Sequence, residues 1–83
     1  MKEVTIDKVI EVLNANIEGA EITDKNLDES LSEMGMDSLT FIKVVVSLED
    51  VFECEIPDSK LLFGEMNTTN KIFGILKDIY VPM

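Results

Sequence analysis

Histidine and arginine are absent from this 83-residue sequence, and cysteine occurs only once. Without histidine the chain lacks the usual base of a serine or cysteine catalytic triad and the commonest nitrogen ligand of zinc. The single Cys54 has no partner for a disulfide within the chain. We therefore expect a protein with no catalytic residue and no metal site.

Long apolar runs are missing as well. The longest aliphatic run, Val44–Val46, is far short of the roughly 20 residues that a membrane-spanning helix requires. The first seventeen residues mix charged with apolar positions and do not resemble a secretory signal. With 46% hydrophobic and 29% charged residues, the composition predicts one small globular domain over residues 1–83. We expect a cytoplasmic monomer.

Positive charge is scarce, because seven lysines face seventeen Asp and Glu residues and the net charge is −10. A chain of this charge repels a phosphate backbone, so we do not expect nucleic acid as a partner. The charge is also uneven. Residues 33–58 carry seven acids and one lysine, whereas residues 59–83 carry two acids and three lysines. The middle of the chain is therefore its acidic part.

Apolar residues recur at three- and four-residue intervals in three segments, the spacing of amphipathic helices. The first segment predicts a helix over residues 3–16. The second predicts a helix that begins after Asp37 as N-cap and ends near Glu53. The third predicts a helix that begins at Thr68 or Thr69 and ends before Pro82. We expect the second helix to bury one apolar stripe, which consists of Leu39, Ile42, Val44, Val45, Leu48 and Phe52.

A long first loop and a short additional helix complete the predicted architecture. The loop over residues 18–33 is rich in turn-forming residues, and a few apolar residues can pin it to the core, namely Ile22, Leu27 and Leu31. The Ile56-Pro57-Asp58-Ser59 step predicts a short helix over Leu61–Phe63, which Gly64 ends. The expected fold is an all-α four-helix bundle with three longer helices and one short one.

Ser38 lies at the predicted start of the second helix. The unpaired N–H groups and the positive dipole end of a helix favour an anion there by roughly 0.3–1 kcal/mol, so a phosphodiester on Ser38 would be stabilised. Alternatively, Ser38 merely shares the capping of the helix with Asp37. Position alone leaves both interpretations open.

Two other interpretations of this segment fail. A hydrolase nucleophile turn requires Gly-x-Ser-x-Gly, and Thr40 stands where the second glycine is needed. A calcium-binding loop that starts at Asp37 requires oxygen ligands at positions where the chain has Leu39 and Phe41. Neither a nucleophilic serine nor a calcium site is therefore expected.

Three blocks of the sequence resemble the acyl carrier protein family, in particular its discrete members. The blocks are LSEMGMDSL at residues 31–39, VVVSLEDVF at residues 44–52 and EIPD at residues 55–58. Members of the family carry a Leu-Gly-x-Asp-Ser-Leu turn, then an aliphatic helix that closes on Leu-Glu-x-x-Phe, and then an Ile-Pro-Asp step. The three blocks of this sequence occur in the same order and in the same register as in the family.

The resemblance implies that Ser38, flanked by Asp37 and Leu39, receives a 4′-phosphopantetheine arm from coenzyme A through a phosphopantetheinyl transferase. The thiol of the arm would hold acyl or aminoacyl groups as thioesters and deliver them to other enzymes, while the protein itself catalyses nothing. The second helix would dock on loading and processing enzymes that present basic patches. The matching partner-binding residues are Leu39, Thr40, Lys43, Val46, Glu49, Asp50 and Asp58.

Thr40 and Lys43 depart from the pattern of fatty-acid carriers, which usually have acids at these positions. Lys43 reverses the local potential, which argues against docking to enzymes of fatty-acid synthesis. We therefore favour a specialised pathway of the polyketide, nonribosomal peptide or D-alanylation type. The alternatives are a housekeeping carrier of fatty-acid synthesis and a carrier-like adaptor that is never modified. Cys54 is expected to be a half-buried filler of the core.

Overall fold

The computed structural model of the chain describes residues 4–57 and 64–79. This part of the chain forms three α-helices and no strand: α1 (Ile6–Asn16), α2 (Ser38–Phe52) and α3 (Thr69–Ile79). The all-α prediction is confirmed. The described residues contain three helices and not the expected four, and the short helix predicted over Leu61–Phe63 lies outside them.

Helix α1 begins three residues later than predicted. Thr5 is its N-cap, and the Thr5 hydroxyl accepts a hydrogen bond from the Lys8 N–H at 3.3 Å. This capping bond satisfies an N–H that has no partner within the helix. The buried side of α1 presents Val9, Val12 and Leu13 to the core.

Helix α2 begins where its sequence predicts, with Asp37 as N-cap, but it buries a different stripe. The side chains of Leu39 and Ile42 are 65% and 58% exposed, so their expected burial is wrong. The apolar residues of α2 extend nearly all the way round the helix, and spacing alone therefore does not determine which side faces the core. The buried residues of α2 are Phe41, Val44, Val45, Leu48 and Phe52.

The long connection between α1 and α2, residues 17–37, is held to α1 by the side-chain amide of Asn14. Asn14 Nδ2 donates to the Ile22 carbonyl at 3.0 Å, and Asn14 Oδ1 accepts from the Ile22 N–H at 2.9 Å. Ile22 and Leu31 are buried, as predicted, whereas Leu27 is half-buried. The connection is therefore tied down at several points along its length.

Helix α1 lies at the centre of the described fold, because it packs against both α2 and α3. Asn16 Nδ2 donates to Ser47 Oγ at 3.2 Å and links α1 with α2. Apolar residues from the connection and from the segment before α3 complete the same core. Its largest fully buried side chains include Leu13, Ile17, Leu31, Met36, Leu48, Phe52, Met66, Ile72 and Leu76.

Candidate functional site

Ser38 is the first residue of α2, and its side chain is exposed. The residue two positions earlier, Met36, is 1% exposed and anchors the approach to the helix in the core. Asp37 between them has extended backbone geometry and caps the helix. The chain thus leaves the core at Met36 and presents the Ser38 hydroxyl at the surface two residues later.

Asp37 stabilises the start of α2 through its carboxylate. Asp37 Oδ1 accepts a hydrogen bond from the Thr40 N–H at 2.8 Å. This bond is the main reason why the pKa of Asp37 is lowered, and a bond from the Thr40 side chain lowers it further. A negative carboxylate therefore caps the helix at neutral pH. The expected capping role of Asp37 is confirmed.

The turn before Asp37 depends on the backbone of Gly35. Its φ of +114° lies in a region that residues with a Cβ rarely adopt. The Gly35 N–H donates to the Ser32 carbonyl at 3.2 Å, and the Met36 N–H donates to the Leu31 carbonyl at 3.0 Å. Because the chain reverses direction at Gly35, Met36 can be buried while Ser38, two residues later, is exposed.

One side of α2 carries large apolar residues in solvent. Leu39 is 65% exposed, and Ile42 and Val46 are each 58% exposed. Spacings of three and four residues place all three on one side of a helix, where exposed Lys43 and Asp50 also lie. We call this side the outer face of α2 and define it by Leu39, Ile42, Lys43, Val46 and Asp50.

The other predicted partner-binding residues have different surroundings. Thr40 is half-buried and bonds to the Asp37 carboxylate. Glu49 is half-buried, and its Oε2 accepts from the Ile56 N–H at 2.9 Å, so this carboxylate stabilises the turn after α2. Asp58 lies outside the described residues. Of the predicted acids, Asp50 is the one that the described part of the structure places on the outer face.

Cys54 is half-buried near the C-terminal end of α2, as expected for a filler of the core. It shares a shallow hollow with Glu49, Glu55, Ile56 and Pro57. Burial raises the pKa of the Cys54 thiol, and the nearby Glu49 carboxylate raises it further. A thiol in this state is a weak nucleophile at neutral pH.

Neither a metal-binding cluster nor a helix that could cross a membrane is found in residues 4–57 and 64–79. No group of three or more Cys, Asp or Glu side chains in these residues has the arrangement of a metal site. None of their helices combines the length and the apolarity that crossing a bilayer requires.

Sequence reasoning missed two features near Ser38. The first is the exposure of Ile42, which the apolar spacing had assigned to the core. The second is Asn67, whose backbone and side chain bond to the loop before Ser38. No local pattern indicates this contact, because it joins residues that are more than thirty positions apart in the sequence.

Comparison with known proteins identifies the class to which this fold and site belong. A family model described as phosphopantetheine attachment site matches residues 6–72, which is most of the chain and includes Ser38. The chain therefore belongs to the phosphopantetheine-attachment family. It is an acyl-carrier-type protein, and the cofactor of this family is a covalently attached 4′-phosphopantetheine.

Several curated relatives of the chain are D-alanyl carrier proteins. The D-alanyl carrier protein of Lactobacillus delbrueckii subsp. bulgaricus is 32% identical over 75 residues, which cover 89% of this chain and 92% of the relative. That of Leuconostoc citreum is 31% identical over 74 residues, which cover 88% and 92%. That of Streptococcus uberis is 38% identical over 53 residues, which cover 63% and 67%. No solved structure matches the chain at a significant level.

Proposed function

We propose that Ser38 Oγ is the attachment point of the 4′-phosphopantetheine arm and that the loaded arm carries D-alanyl groups. The observation that carries the proposal is the exposed hydroxyl at the first residue of α2, directly after the capping Asp37. The arm supplies a terminal thiol that holds the cargo as a thioester. The chain itself supplies the attachment hydroxyl and a docking surface, and it contributes no catalytic group.

Attachment is a phosphoryl-group transfer from coenzyme A that a separate transferase catalyses. The bond between Ser38 Oγ and the phosphorus of the arm forms, and the bond between that phosphorus and the adenosine bisphosphate breaks. The Ser38 proton passes to a base of the transferase, and adenosine bisphosphate leaves. Because the transferase supplies the base, the lack of histidine in this chain does not prevent the reaction.

Intact-mass spectrometry tests the attachment site. The apo protein is incubated with coenzyme A, Mg²⁺ and a broad-specificity phosphopantetheinyl transferase, and we expect one adduct per chain. Ser38→Ala should abolish the adduct. Ser32→Ala is the control, because it removes another exposed serine hydroxyl six residues earlier, which is paired with Ser30 Oγ at 2.9 Å. One adduct per chain should still form on this variant. A wild-type chain that stays unmodified while a known carrier is loaded would support the unmodified-adaptor alternative.

The choice of D-alanine as cargo is supported by relatives that are named D-alanyl carrier proteins and match nearly the full length of this chain. Activation of an amino-acid carboxylate for thioester formation requires an energy source, so the proposal includes an ATP-dependent ligase as a partner. Such loading chemistry places the protein in the cytoplasm, where ATP and coenzyme A are available. The monomer predicted from the sequence remains a prediction.

A loading experiment separates D-alanine from the alternative cargoes. The holo protein is incubated with ATP, D-alanine and the D-alanine ligase of a related system, and the thioester is detected by intact mass. We expect D-alanine to load faster than L-alanine. In parallel, a malonyl transferase of fatty-acid synthesis should load the protein poorly. Efficient malonyl loading together with no D-alanyl thioester would favour the housekeeping fatty-acid alternative.

We also propose that partner enzymes bind the outer face of α2. Its exposed side chains Leu39, Ile42 and Val46 provide apolar surface that fits a shallow hydrophobic depression on a partner. The outer face has a basic Lys43 toward the start of the helix and an acidic Asp50 two turns further along. A complementary partner would have an acidic group opposite Lys43 and a basic group opposite Asp50.

Charge reversal tests this docking surface. Lys43→Glu should raise the KM of the ligase for the holo carrier, because it places like charges opposite each other, while the kcat changes little. Val46→Asp should raise the KM further by placing a charge in the apolar contact. Lys71→Glu is the matched control on α3, where Lys71 is also exposed, and it should behave like the wild type. An unchanged KM for both α2 variants would contradict the proposed surface.

A further inference from the structure

Asn67, two residues before α3, is bonded to the loop that leads to α2. Its carbonyl accepts a hydrogen bond from the Leu31 N–H at 2.7 Å. Its side chain makes two more bonds, because Asn67 Oδ1 accepts from the Ser32 N–H at 3.2 Å and Asn67 Nδ2 donates to Ser30 Oγ at 3.1 Å. One residue therefore fixes three consecutive residues of the loop.

The position of Leu31 determines the turn that follows it. The Leu31 carbonyl accepts hydrogen bonds from the Met34 N–H at 3.1 Å and from the Met36 N–H at 3.0 Å. The Leu31 side chain is fully buried. Gly35, which has a positive φ, lies between the two donors, and Ser38 follows Met36 by two residues. A shift of Leu31 would therefore move the segment that presents Ser38.

From these contacts we propose that Asn67 is a positioning residue, which holds Leu31 and through it the turn that presents Ser38 to the loading transferase. This inference rests on the proposed function, in which Ser38 is the attachment point. The turn is not part of a helix, so its conformation depends on individual hydrogen bonds, those from Asn67 among them. Asn67→Ala removes the two side-chain bonds to Ser32 and Ser30 and retains the bond from the Leu31 N–H to the Asn67 carbonyl. Without the side-chain bonds a smaller fraction of molecules has the competent turn, and the apparent affinity falls in proportion to that fraction.

Asn70 provides a matched comparison. It lies in the first turn of α3, and its Nδ2 donates to Asp28 Oδ1 at 2.8 Å. Its N–H donates to the Leu27 carbonyl at 3.0 Å, a bond that a side-chain substitution retains. Asn70→Ala thus removes an amide bond to the same loop, but at a point ten residues before Ser38. If Asn67 positions Ser38, the two alanine variants should differ.

Loading kinetics compare the Asn67→Ala and Asn70→Ala variants. The apo forms of the wild type, Asn67→Ala, Ser30→Ala and Asn70→Ala are titrated against the transferase and coenzyme A. We expect Asn67→Ala to raise the KM for the carrier by up to about fivefold for each of the two hydrogen bonds that are lost, with the kcat unchanged. Ser30→Ala should raise it less, and Asn70→Ala should match the wild type. Equal KM values for Asn67→Ala and the wild type, or equal losses for Asn67→Ala and Asn70→Ala, would overturn the inference.

Amide hydrogen exchange on the same apo proteins gives a readout that does not depend on the arm. Asn67→Ala should accelerate exchange at Leu31 and Met36 relative to the core amide of Leu13, and Asn70→Ala should not. Unchanged exchange at Leu31 and Met36 would overturn the inference. If the wild type is never loaded, the proposed function fails, while exchange still decides whether Asn67 holds the turn. If Asn67→Ala does not fold, Ser30→Ala provides the test by both measurements.

Discussion

The two sides of α2 have similar amino acids and different surroundings. The inner side buries Val44 and Leu48 completely, whereas the outer face leaves Ile42 and Val46 more than half exposed. The outer sides of α1 and α3 are polar by comparison, with exposed residues such as Glu11 and Lys71. Stability alone does not account for three large apolar side chains in solvent on a single helix. Their exposure supports the proposal that partner enzymes bind α2.

The largest expected effect comes from truncating the inner side of α2. Leu48→Ala should lower the free energy of unfolding by about 2–5 kcal/mol, because it opens a cavity in the core. A domain of this size has only about 3–5 kcal/mol of stability from its core, so the variant is near the limit of folding. Val46→Ala on the outer face should change stability by less than about 0.5 kcal/mol. Urea denaturation measures both, and equal effects would show that the two sides do not differ.

The next largest effect concerns the turn that leads into α2. Gly35→Ala should destabilise the protein by about 1–3 kcal/mol, because alanine is strained at the positive φ of this position. Gly64→Ala is the control, since no positive φ is found there and an added Cβ has no neighbour within 4 Å. Thermal melts of both variants make the comparison. A neutral Gly35→Ala would mean that the turn adjusts easily, and it would weaken the case for a precisely positioned Ser38.

A smaller effect of the opposite sign is expected in α3. Gly74 lies inside α3 and is exposed, and a Cβ added there meets nothing within 4 Å. Gly74→Ala should therefore stabilise the protein by about 0.5–1 kcal/mol, since alanine has the higher helix propensity. The urea midpoint should rise while loading of Ser38 stays unchanged. A lower midpoint would contradict the helical geometry at this position.

The smallest effect is the pH dependence of the cap at the start of α2. The Thr40 N–H lowers the pKa of Asp37 in the folded protein, so the ionised carboxylate stabilises the fold above the unfolded pKa of about 3.9. This contribution is lost as the pH falls through the lower, folded pKa. Asp37→Asn retains a capping oxygen but does not titrate there. The difference in urea midpoint between the wild type and Asp37→Asn should shrink on acidification to about pH 3, and a constant difference would contradict this account.

Helix starts that are set by neighbouring capping residues could be predicted from the sequence. Asp37 is a favourable N-cap followed by an apolar helix, and this local chemistry correctly placed the start of α2. Likewise, Thr68 was one of two candidates for the cap of α3, and its hydroxyl accepts from the Lys71 N–H. The exposure of Ser38 follows from its place beside the cap. In each case the deciding interactions lie within one helical turn.

Features that depend on the whole fold could not be predicted. The apolar spacing of α2 fits more than one side, and only the packing of the whole fold puts Phe41 in the core and leaves Ile42 outside. The bonds from Asn67 to Ser30 and Ser32 join distant parts of the chain, and neither residue type indicates its partner. The role of Glu49 as acceptor for the Ile56 N–H was missed for a similar reason, because an acid on a helix is usually interpreted as a surface charge.

The raised pKa of Cys54 has a consequence for the fidelity of the carrier. A thioester can migrate to any other thiolate that reaches it, and the protein would then retain its cargo on the wrong sulfur. Because Cys54 stays protonated at neutral pH and is half-buried, it competes poorly for such an exchange. Cys54 is therefore a poor acceptor for the cargo, and the thioester is expected to stay on the sulfur of the arm.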